Sequence, residues 1–487
     1  MTVYQAIQGL CAYAIEKGMI THDDKIYCRN RILELMQDTN FDTCEVETSN
    51  HFECLKVLID DAASRGVIES NMPPYSDLFE SRIMNVFLPK PSEIISNFNA
   101  YLSMSPEQAT SYFYNFSKDS HYIRLDRTSK NMLWQVDTKF GVIDITVNLS
   151  KPEKDPKAIA AVLNKVETNY PKCFLCVENE GYSGHLSHPG RQNHRIVPLT
   201  LNQEKWYFQY SPYAYFNEHS ILLKAAHENM VITHDTFTRL MDFLDTFPHY
   251  FIGSNADLPL VGGSLLTHDH YQAGKYEFAM ERAETLDTFT IDDVTVKHLN
   301  WPLSVLRLAH EDRAKVTALA CKIFDTWVDY SDEVYDIKAY TDERHNTVTP
   351  IARLKDGKYE LDLVLRNNRT DETRPTGIFH PKADVHAVKK ENIGLIEVMG
   401  LAVLPSRLVN EMDQMAQYII AGKDFEGDIE KFSHLREQML KSDDFDQVYE
   451  DVKRVVGETF VKGLEDAGVF KLDEQGRQGI KKFIETI

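Results

Sequence analysis

The chain lacks the excess of positive charge that nucleic-acid-binding proteins carry. Its 487 residues include 53 Lys and Arg against 74 Asp and Glu, which gives a formal net charge of −21. A phosphate backbone needs a positive footprint, so this composition argues against nucleic acid as a main partner. An acidic chain is still able to hold a phosphate locally, because a few Arg, His or backbone N–H groups suffice.

A long apolar run and a targeting leader are also missing. No apolar run approaches the roughly 20 residues that span a bilayer, and "MTVYQAIQGLCAYAIEKGM" lacks a basic leader followed by an apolar stretch. The seven cysteines are too few and too scattered for a disulfide framework. We therefore expect a soluble, cytoplasmic protein with reduced thiols and no membrane partner.

The chain has enough apolar material for a large core, with 43% hydrophobic and 11% aromatic residues. Residues 1–150 read as a largely helical N-terminal region, in which Ser105 and Pro106 of "SPEQATSYFYNF" predict a helix start. Alternation in "GVIDITVNLS" then predicts a strand, and the charged stretch at 150–157 predicts a surface connection.

The middle of the chain, 151–400, mixes strand and helix patterns, with strand-rich parts at about 170–282 and 300–400. Asp356-Gly357 stands between two alternating runs and predicts a β-hairpin. Residues 401–487 return to helical spacing, with an apolar stripe from Phe445 to Thr459. The fold class predicted from these patterns is α+β, with a sheet-based core between helical terminal regions.

The stretch "GGSLLTHDHYQAG" (262–274) carries the strongest chemical pattern. If it is a strand, His268, His270 and Gln272 line one face, because successive side chains point to opposite faces. An imidazole is a competent nucleophile toward phosphorus, and Gly262 and Gly263 let backbone N–H groups approach phosphate oxygens. The alternative is two surface histidines on an edge strand.

A pair of cysteines at Cys173 and Cys176 points to a metal site. Two cysteines at this spacing form half of a tetrahedral zinc site, and histidines often supply the other half. His227 and His268 are available for it. The alternative is a redox pair, but such a motif is expected to open a helix in a βαβ unit, whereas a loop-like stretch follows here. The pattern favours metal.

Together these motifs resemble the galactose-1-phosphate uridylyltransferases, a branch of the histidine-triad superfamily. "HDHYQ" is similar to the H-x-H-x-Q signature of that family. "CFLCVENEGYSG", "NHRIVPL", "SPYAYFNEHSILL" and "SNADLPLVGGSLLTHDHYQAGKYEFAMERA" resemble its second, longer type, found in Gram-positive bacteria. The similarity covers most of the chain and implies a histidine-triad-like catalytic core with an antiparallel sheet.

The resemblance implies a reaction in galactose metabolism (the Leloir pathway), in which UDP-glucose and galactose 1-phosphate exchange to UDP-galactose and glucose 1-phosphate. It implies that His270 attacks the α-phosphorus and carries UMP, and that Gln272 hydrogen-bonds the phosphoryl oxygens. It also implies a structural zinc ion. The positions that match its metal ligands are Cys173, Cys176, His227 and His268. Further substrate contacts are expected at Asn255, Gly263, Ser264 and Arg195.

Two departures from the family pattern stand out. Asp269 lies between the histidines where the better-known type has proline, so a local backbone constraint is lost. The better-known type also has a second, iron-type metal site that needs another H-x-H, and none follows His270. His380 and His386 are isolated, so we expect that site to be absent and these histidines to serve local hydrogen bonds or the substrate.

Gln272 favours a transferase over a hydrolase. A glutamine amide donates hydrogen bonds but cannot act as an acid near neutral pH, and a departing hexose 1-phosphate needs no acid. The alternatives are another histidine-dependent nucleotidyltransferase, a dinucleotide phosphorylase, and a non-catalytic zinc-stabilised nucleotide-binding module.

Other parts of the chain offer secondary candidates for substrate binding. Additional groups for phosphate are Arg191, Asn193, His194, Arg366 and Arg369, and the aromatic run 206–216 fits either a core strand or a nucleobase contact. The helical terminal regions carry no readable chemistry, and they either cover the sheet or form the surface of a homodimer.

Overall fold

The computed structural model describes residues 1–46, 48–149, 169–263 and 265–487. Helices dominate the two ends of the chain, and an antiparallel sheet forms its centre. The α+β class predicted from the sequence is therefore confirmed. The charged connection predicted at 150–157 lies outside the described residues. Among the helices of the described ranges, none has the length and apolar character that crossing a membrane requires.

The strands follow one another along the chain with these bounds: β1 Met132–Thr138, β2 Gly141–Val147, β3 Val197–Leu201, β4 Glu204–Tyr210, β5 Ser220–Lys224, β6 Phe251–Gly253, β7 His270–Gly274, β8 Thr285–Ile291, β9 Val294–Leu299, β10 Val305–His310, β11 Asn346–Lys355, β12 Lys358–Asn367 and β13 Leu401–Leu404.

The α-helices of the described residues have these bounds: α1 Val3–Glu16, α2 Lys25–Leu35, α3 His51–Ser64, α4 Tyr75–Asn85, α5 Pro91–Leu102, α6 Pro106–Asp119, α7 Leu125–Thr128, α8 His234–Thr246, α9 Arg313–Val328, α10 Leu395–Val398, α11 Arg407–Ile420, α12 Phe445–Ala467 and α13 Glu474–Ile484. Segments of 3₁₀ helix lie at His22–Asp24, Val177–Asn179, Ala279–Arg282, Glu333–Tyr335, Ala383–Val385 and Gly427–Gln438.

Ten of these strands form one sheet in the order β3-β4-β5-β7-β6-β11-β12-β10-β9-β8. The sheet consists of two halves with the same topology, which meet where β6 pairs with β11. Each half has three strands, a helix (α8 or α9) and two more strands, and the last strand inserts beside the third. Because Ile252 pairs with Ala352 at the junction, Gln272 in the first half corresponds to Glu360 in the second.

The two faces of this sheet pack against different layers. One face packs against α5, α6, α8, α9 and α13 in one apolar cluster. The other face packs against α11, α12 and a small sheet of β1, β2 and β13 in a second cluster. A separate apolar cluster holds α1 to α4 together. The helical ends thus cover both faces of the central sheet.

Several local predictions are confirmed. Ser105 caps α6, and Pro106 is its first residue. The hairpin turns at Asp356-Gly357, where both residues adopt positive φ as a tight two-residue turn requires. A strand within the predicted helical end, β13, was not predicted. It has only four residues, too few to show a period, and it pairs in parallel with β2.

A buried ion cluster lies in the second half of the sheet, on the face that carries Gln272 in the first half. Asp362 has no exposed surface. It accepts hydrogen bonds from Arg307 at 2.7 and 2.9 Å and from Arg353 at 2.6 Å. Burial alone would raise the pKa of Asp362, but the two guanidinium groups lower it to about 2. On this face, the second half of the sheet therefore carries a buried network of ion pairs that stabilises the fold.

We expect Asp362→Ala to destabilise the protein by about 3–5 kcal/mol, because two buried guanidinium groups lose their shared partner. The measurement is the urea concentration at the midpoint of unfolding. Glu450→Ala is the matched control, since its carboxylate pairs with Lys453 but is 68% exposed, and its effect should stay below about 1 kcal/mol. Equal effects of the two substitutions would contradict this account of the cluster.

Candidate active site and metal centre

A cavity of about 1040 Å³ opens on the first half of the sheet. Its floor includes His270 and Gln272 of β7, and its opposite wall comes from the segment 389–406. The segment 389–406 and strand β7, which are distant in sequence, therefore line the same cavity. The other polar groups that line it include Asn148, Arg191, Gln209, Ser211, Tyr213, Tyr215, His219, Asn255, Lys389, Glu391, Asn392, Ser406 and Glu397.

The proton of His270 is placed by a backbone contact. Its Nδ1 lies 2.8 Å from the carbonyl oxygen of His268. A carbonyl only accepts, so Nδ1 carries the proton and Nε2 keeps its lone pair. The ring is 7% exposed, and burial lowers the pKa of His270 to about 4. The imidazole is therefore neutral near pH 7, which is the form that attacks an electrophile.

The strand is shorter than the sequence predicted. β7 begins at His270, so His268 precedes it. His270 and Gln272 do line the same cavity, whereas the ring of His268 lies against Cys173. Its Nε2 donates to the carbonyl of Lys224 at 2.8 Å, which holds the ring on that side. The prediction that His268, His270 and Gln272 line one face of a strand therefore holds for His270 and Gln272 but not for His268.

The glycine pair packs against its own loop. A Cβ on Gly262 would lie 2.1 Å from the carbonyl oxygen of Ala256, and one on Gly263 would lie 2.7 Å from Nδ2 of Asn255. The Oδ1 of Asn255 accepts a hydrogen bond from the backbone N–H of Leu395 at 2.8 Å and so joins the two walls of the cavity. Ser264 lies outside the described residues.

Two arginines four positions apart have different surroundings. All five donors of Arg195 are taken, by the carbonyls of Pro89, Gln192 and His194 and by the side chain of Asn85. Its guanidinium links loops and is not among the groups that line the cavity. These contacts do not support the expectation that Arg195 contacts substrate, which stays a prediction.

Arg191 lines the cavity instead. It is 8% exposed, donates from Nη1 to the hydroxyl of Tyr122 at 2.8 Å and leaves a buried Nε without an acceptor. Among the residues that the structure describes, no carboxylate lies within ion-pair distance of it. A buried cation without a counter-ion is a group suited to bind an anionic ligand.

The remaining candidates have local partners. Asn193 donates to the carbonyl of Ser120, and the Nε2 of His194 lies 3.0 Å from Oε1 of Gln209. The guanidinium of Arg366 donates to Thr349 and to the carbonyl of Ile393. None of these contacts involves a carboxylate or a second metal-binding group.

Arg369 pairs with Asp336. His380 and His386 both contact the carbonyl of Pro381. In these three residues the polar groups thus serve local structure. The absence of a second metal site stays a prediction.

The aromatic run divides between core and cavity. Trp206, Phe208 and Tyr210 on β4 are buried in the apolar cluster, and Trp206 stacks on Tyr271 with ring centroids 4.8 Å apart. Tyr213 and Tyr215 follow the strand and line the cavity. The aromatic residues of β4 therefore belong to the core, as one interpretation of the sequence had it. Those of the following loop are available for contact with a ligand.

Two cysteines and two histidines come together beside the cavity. Their ligand atoms all lie within 4.8 Å of one another, and the four residues are Cys173, Cys176, His227 and His268. The Sγ atoms of the two cysteines are 3.4 Å apart, and Nδ1 of His268 is 3.2 Å from Sγ of Cys173. Edges of roughly 3.3–3.8 Å are expected for a tetrahedral site with zinc-like bond lengths. The cluster could hold a metal ion.

The surroundings of the cluster also suit a metal. Burial and the neighbouring Cys173 raise the pKa of Cys176, so a bound cation would favour the ionisation of both thiols together. The backbone N–H of Leu175 donates to Sγ of Cys173 at 3.4 Å. Asn179 donates to both cysteine carbonyls at 2.8 Å and fixes the loop. These contacts favour metal over the redox alternative.

His219 was missed in the sequence. Its Nε2 lies 3.0 Å from Oε1 of Gln272, and its ring lies at the cavity wall. It lies within the stretch "SPYAYFNEHSILL" that resembles the family, but no catalytic or metal-binding spacing there marks it out. The pairing of Ile221 with Gln272 in the sheet brings it there, so only the strand register could have predicted it.

A neutral, buried imidazole at the base of a cavity is a group able to act as a nucleophile in group transfer, and here it lies beside a cluster that could hold a metal ion. Comparison of the sequence with family models then identifies the family. The chain matches the model described as galactose-1-phosphate uridyl transferase, N-terminal domain, over residues 18–229 and its C-terminal domain over residues 242–435. The chain belongs to this family.

Relatives named galactose-1-phosphate uridylyltransferase align along the full chain. The one from Clostridium acetobutylicum is 47% identical and covers 99% of both chains. The one from Fusobacterium nucleatum is 46% identical over 100% of this chain and 99% of its own, and the one from Bacillus subtilis is 45% identical over 100% and 98%. A crystal structure of the yeast Ap4A phosphorylase Apa2 aligns with a TM-score of only 0.33 at 12% identity, over 65% of this chain and 89% of its own.

We expect the purified protein to contain one metal ion per chain and Cys176→Ala to lose most of it, because three ligands hold an ion far more weakly than four. Elemental analysis of the dialysed proteins is the measurement. Cys321→Ala is the control, since this free cysteine lies on α9, away from the cluster. Full metal content in the Cys176 variant would contradict the assignment of the ligands.

Proposed function

We propose that the protein transfers UMP from UDP-glucose to galactose 1-phosphate, giving UDP-galactose and glucose 1-phosphate, through a uridylyl group held covalently on His270. The observation that carries the proposal is the ring of His270, which is neutral, protonated on Nδ1 and placed in the cavity. The names of the full-length relatives support the choice of substrates.

The transfer takes place in two displacements. The Nε2 lone pair of His270 attacks the α-phosphorus of UDP-glucose, and the bond to the bridging oxygen breaks, so glucose 1-phosphate leaves with those electrons. A phosphate oxygen of galactose 1-phosphate then attacks the same phosphorus, and the bond to Nε2 breaks. The histidine returns to its neutral form, and no proton has to be supplied in either step.

Gln272 is the proposed partner of the phosphoryl oxygens. Its amide lies on the same cavity face as His270, two residues along β7. Charge on these oxygens grows in the transition state, and a preorganised N–H donor stabilises it. Because an amide is not an acid, Gln272 cannot give a proton to a leaving group. A departing sugar phosphate needs no such proton, so exchange between sugar phosphates is favoured over hydrolysis.

We also propose zinc as the metal and structure as its role. Two thiolates and two imidazoles match the ligand preference of Zn²⁺ in structural sites. Such an ion would hold the loop of the cysteine pair to the residues just before β7. No step of the reaction passes through it.

The negative charge of the nucleotide needs a cation, and Arg191 is the candidate. Lys389, also in the cavity wall, is already paired with Glu397 at 2.7 Å. Arg191 lacks such a partner among the described residues and has an unused Nε. The cytoplasmic location and the homodimer expected from the sequence stay predictions.

We expect His270→Ala to abolish turnover, because the substitution removes the lone pair that attacks phosphorus. Gln272→Ala should slow turnover about 100-fold and keep the covalent step, since it removes one donor to the phosphoryl group. Steady-state rates and the exchange of labelled glucose 1-phosphate into UDP-glucose, without galactose 1-phosphate, measure both effects.

The matched control is His234→Ala. That histidine is about half exposed and pairs with Asp325 on the outer surface, so its rate should equal that of the wild type. Normal turnover in the His270 variant would refute the proposed function.

Arg191→Met should weaken UDP-glucose binding at least about tenfold, because a charge-assisted hydrogen bond to the nucleotide is lost. Isothermal titration with the Gln272→Ala background, in which turnover is slow, measures the dissociation constant. Arg454→Met is the control, since Arg454 pairs with Asp451 and Glu458 on α12. Unchanged affinity in the Arg191 variant would contradict its assignment.

A further inference from the structure

We infer that His219 is a positioning residue, which holds the amide of Gln272 with its NH₂ group turned toward the phosphoryl group. The inference rests on the proposed function, since it concerns how the donor of that reaction is oriented. The contact that carries it is the 3.0 Å approach of Nε2 of His219 to Oε1 of Gln272.

The tautomer of His219 follows from its surroundings. The ring is 3% exposed, and its Nδ1 has no hydrogen-bond partner. A proton on Nδ1 would be a buried donor without an acceptor, which is costly. A proton on Nε2 is satisfied by the amide oxygen of Gln272, so Nε2 donates and the amide oxygen is occupied.

The ring of His219 is not free to turn. It contacts two aromatic rings, Tyr215 at 5.5 Å with an interplanar angle of 28° and Phe216 at 4.4 Å with an angle of 34°, both measured between centroids. The preceding residue, Glu218, is fixed by a hydrogen bond from the hydroxyl of Tyr250. The backbone carbonyl of His219 accepts from Ser211 at 2.8 Å. The donor therefore has a fixed direction.

A glutamine amide has two nearly isosteric orientations, and only one of them suits a phosphoryl group. With Oε1 on His219, the NH₂ group is the end left for the cavity, where it donates to anionic oxygens. The flipped amide would present its carbonyl oxygen to those same oxygens and repel them. Without the hydrogen bond from His219, nothing in this pair favours the orientation of the Gln272 amide that presents its NH₂ group.

A double-mutant cycle separates this role from general packing. The proteins are wild type, His219→Phe, Gln272→Ala and the double variant, and the measurement is the single-turnover rate of uridylyl transfer to the protein from UDP-glucose. His219→Phe should slow this step roughly tenfold in the wild type and less than about twofold in the Gln272→Ala background. His219→Gln, which keeps a donor, should recover most of the rate.

His298→Phe is the matched control, because His298 is also 3% exposed but lies in the second half of the sheet. It should leave the single-turnover rate unchanged in both backgrounds. Thermal unfolding of each variant shows whether the fold is kept.

Equal losses from His219→Phe with and without Gln272, or no recovery in folded His219→Gln, would overturn the inference. Should the phenylalanine variant fail to fold, the tautomer is measured in the wild type by ¹⁵N NMR of histidine-labelled protein. A proton on Nε2 of His219 is expected, and a proton on Nδ1 would overturn the inference. A wild type that takes up no uridylyl group would instead refute the proposed function itself.

Discussion

The hydrogen bond from Nδ1 of His270 to the backbone carbonyl of His268 is the contact on which the site depends. It decides which nitrogen carries the proton, and so which one faces the cavity with a lone pair. The residue that supplies this carbonyl also places its ring in the Cys2His2 cluster. The proposed metal ligand and the proposed nucleophile are thus adjacent parts of one short segment, so an ion bound by the cluster would help to position His270.

The sheet is duplicated in topology, but among the described residues the cavity with His270 lies on its first half. In the first half, the connection from β6 to β7 contributes Asn255, Gly262, Gly263 and Leu265 to the lining of the cavity that holds His270. The corresponding connection in the second half is the two-residue turn Asp356-Gly357, which leaves no room for a ligand loop. Buried ion pairs around Asp362 occupy that face instead. The segment 389–406 then closes the cavity from the far end of the chain.

The sequence predicted what is local and missed what depends on register. The cysteine pair, the histidine strand and the Asp356-Gly357 turn are short patterns whose chemistry or backbone geometry is contained in a few residues. Arg191 and Arg195 could not be told apart, because their roles are set by contacts with residues around 85–89 and 122. His219 depends on the pairing of β5 with β7, which no local pattern reveals.

The central claim is that His270 forms a temporary bond to a uridylyl group. Intact-protein mass spectrometry after incubation with UDP-glucose alone tests it most directly, followed by peptide mapping of the modified residue. The account predicts an acid-labile mass increase of one uridylyl group, located on His270 and removed by galactose 1-phosphate. An unmodified protein that still exchanges the sugars, or a group found on another residue, would contradict it.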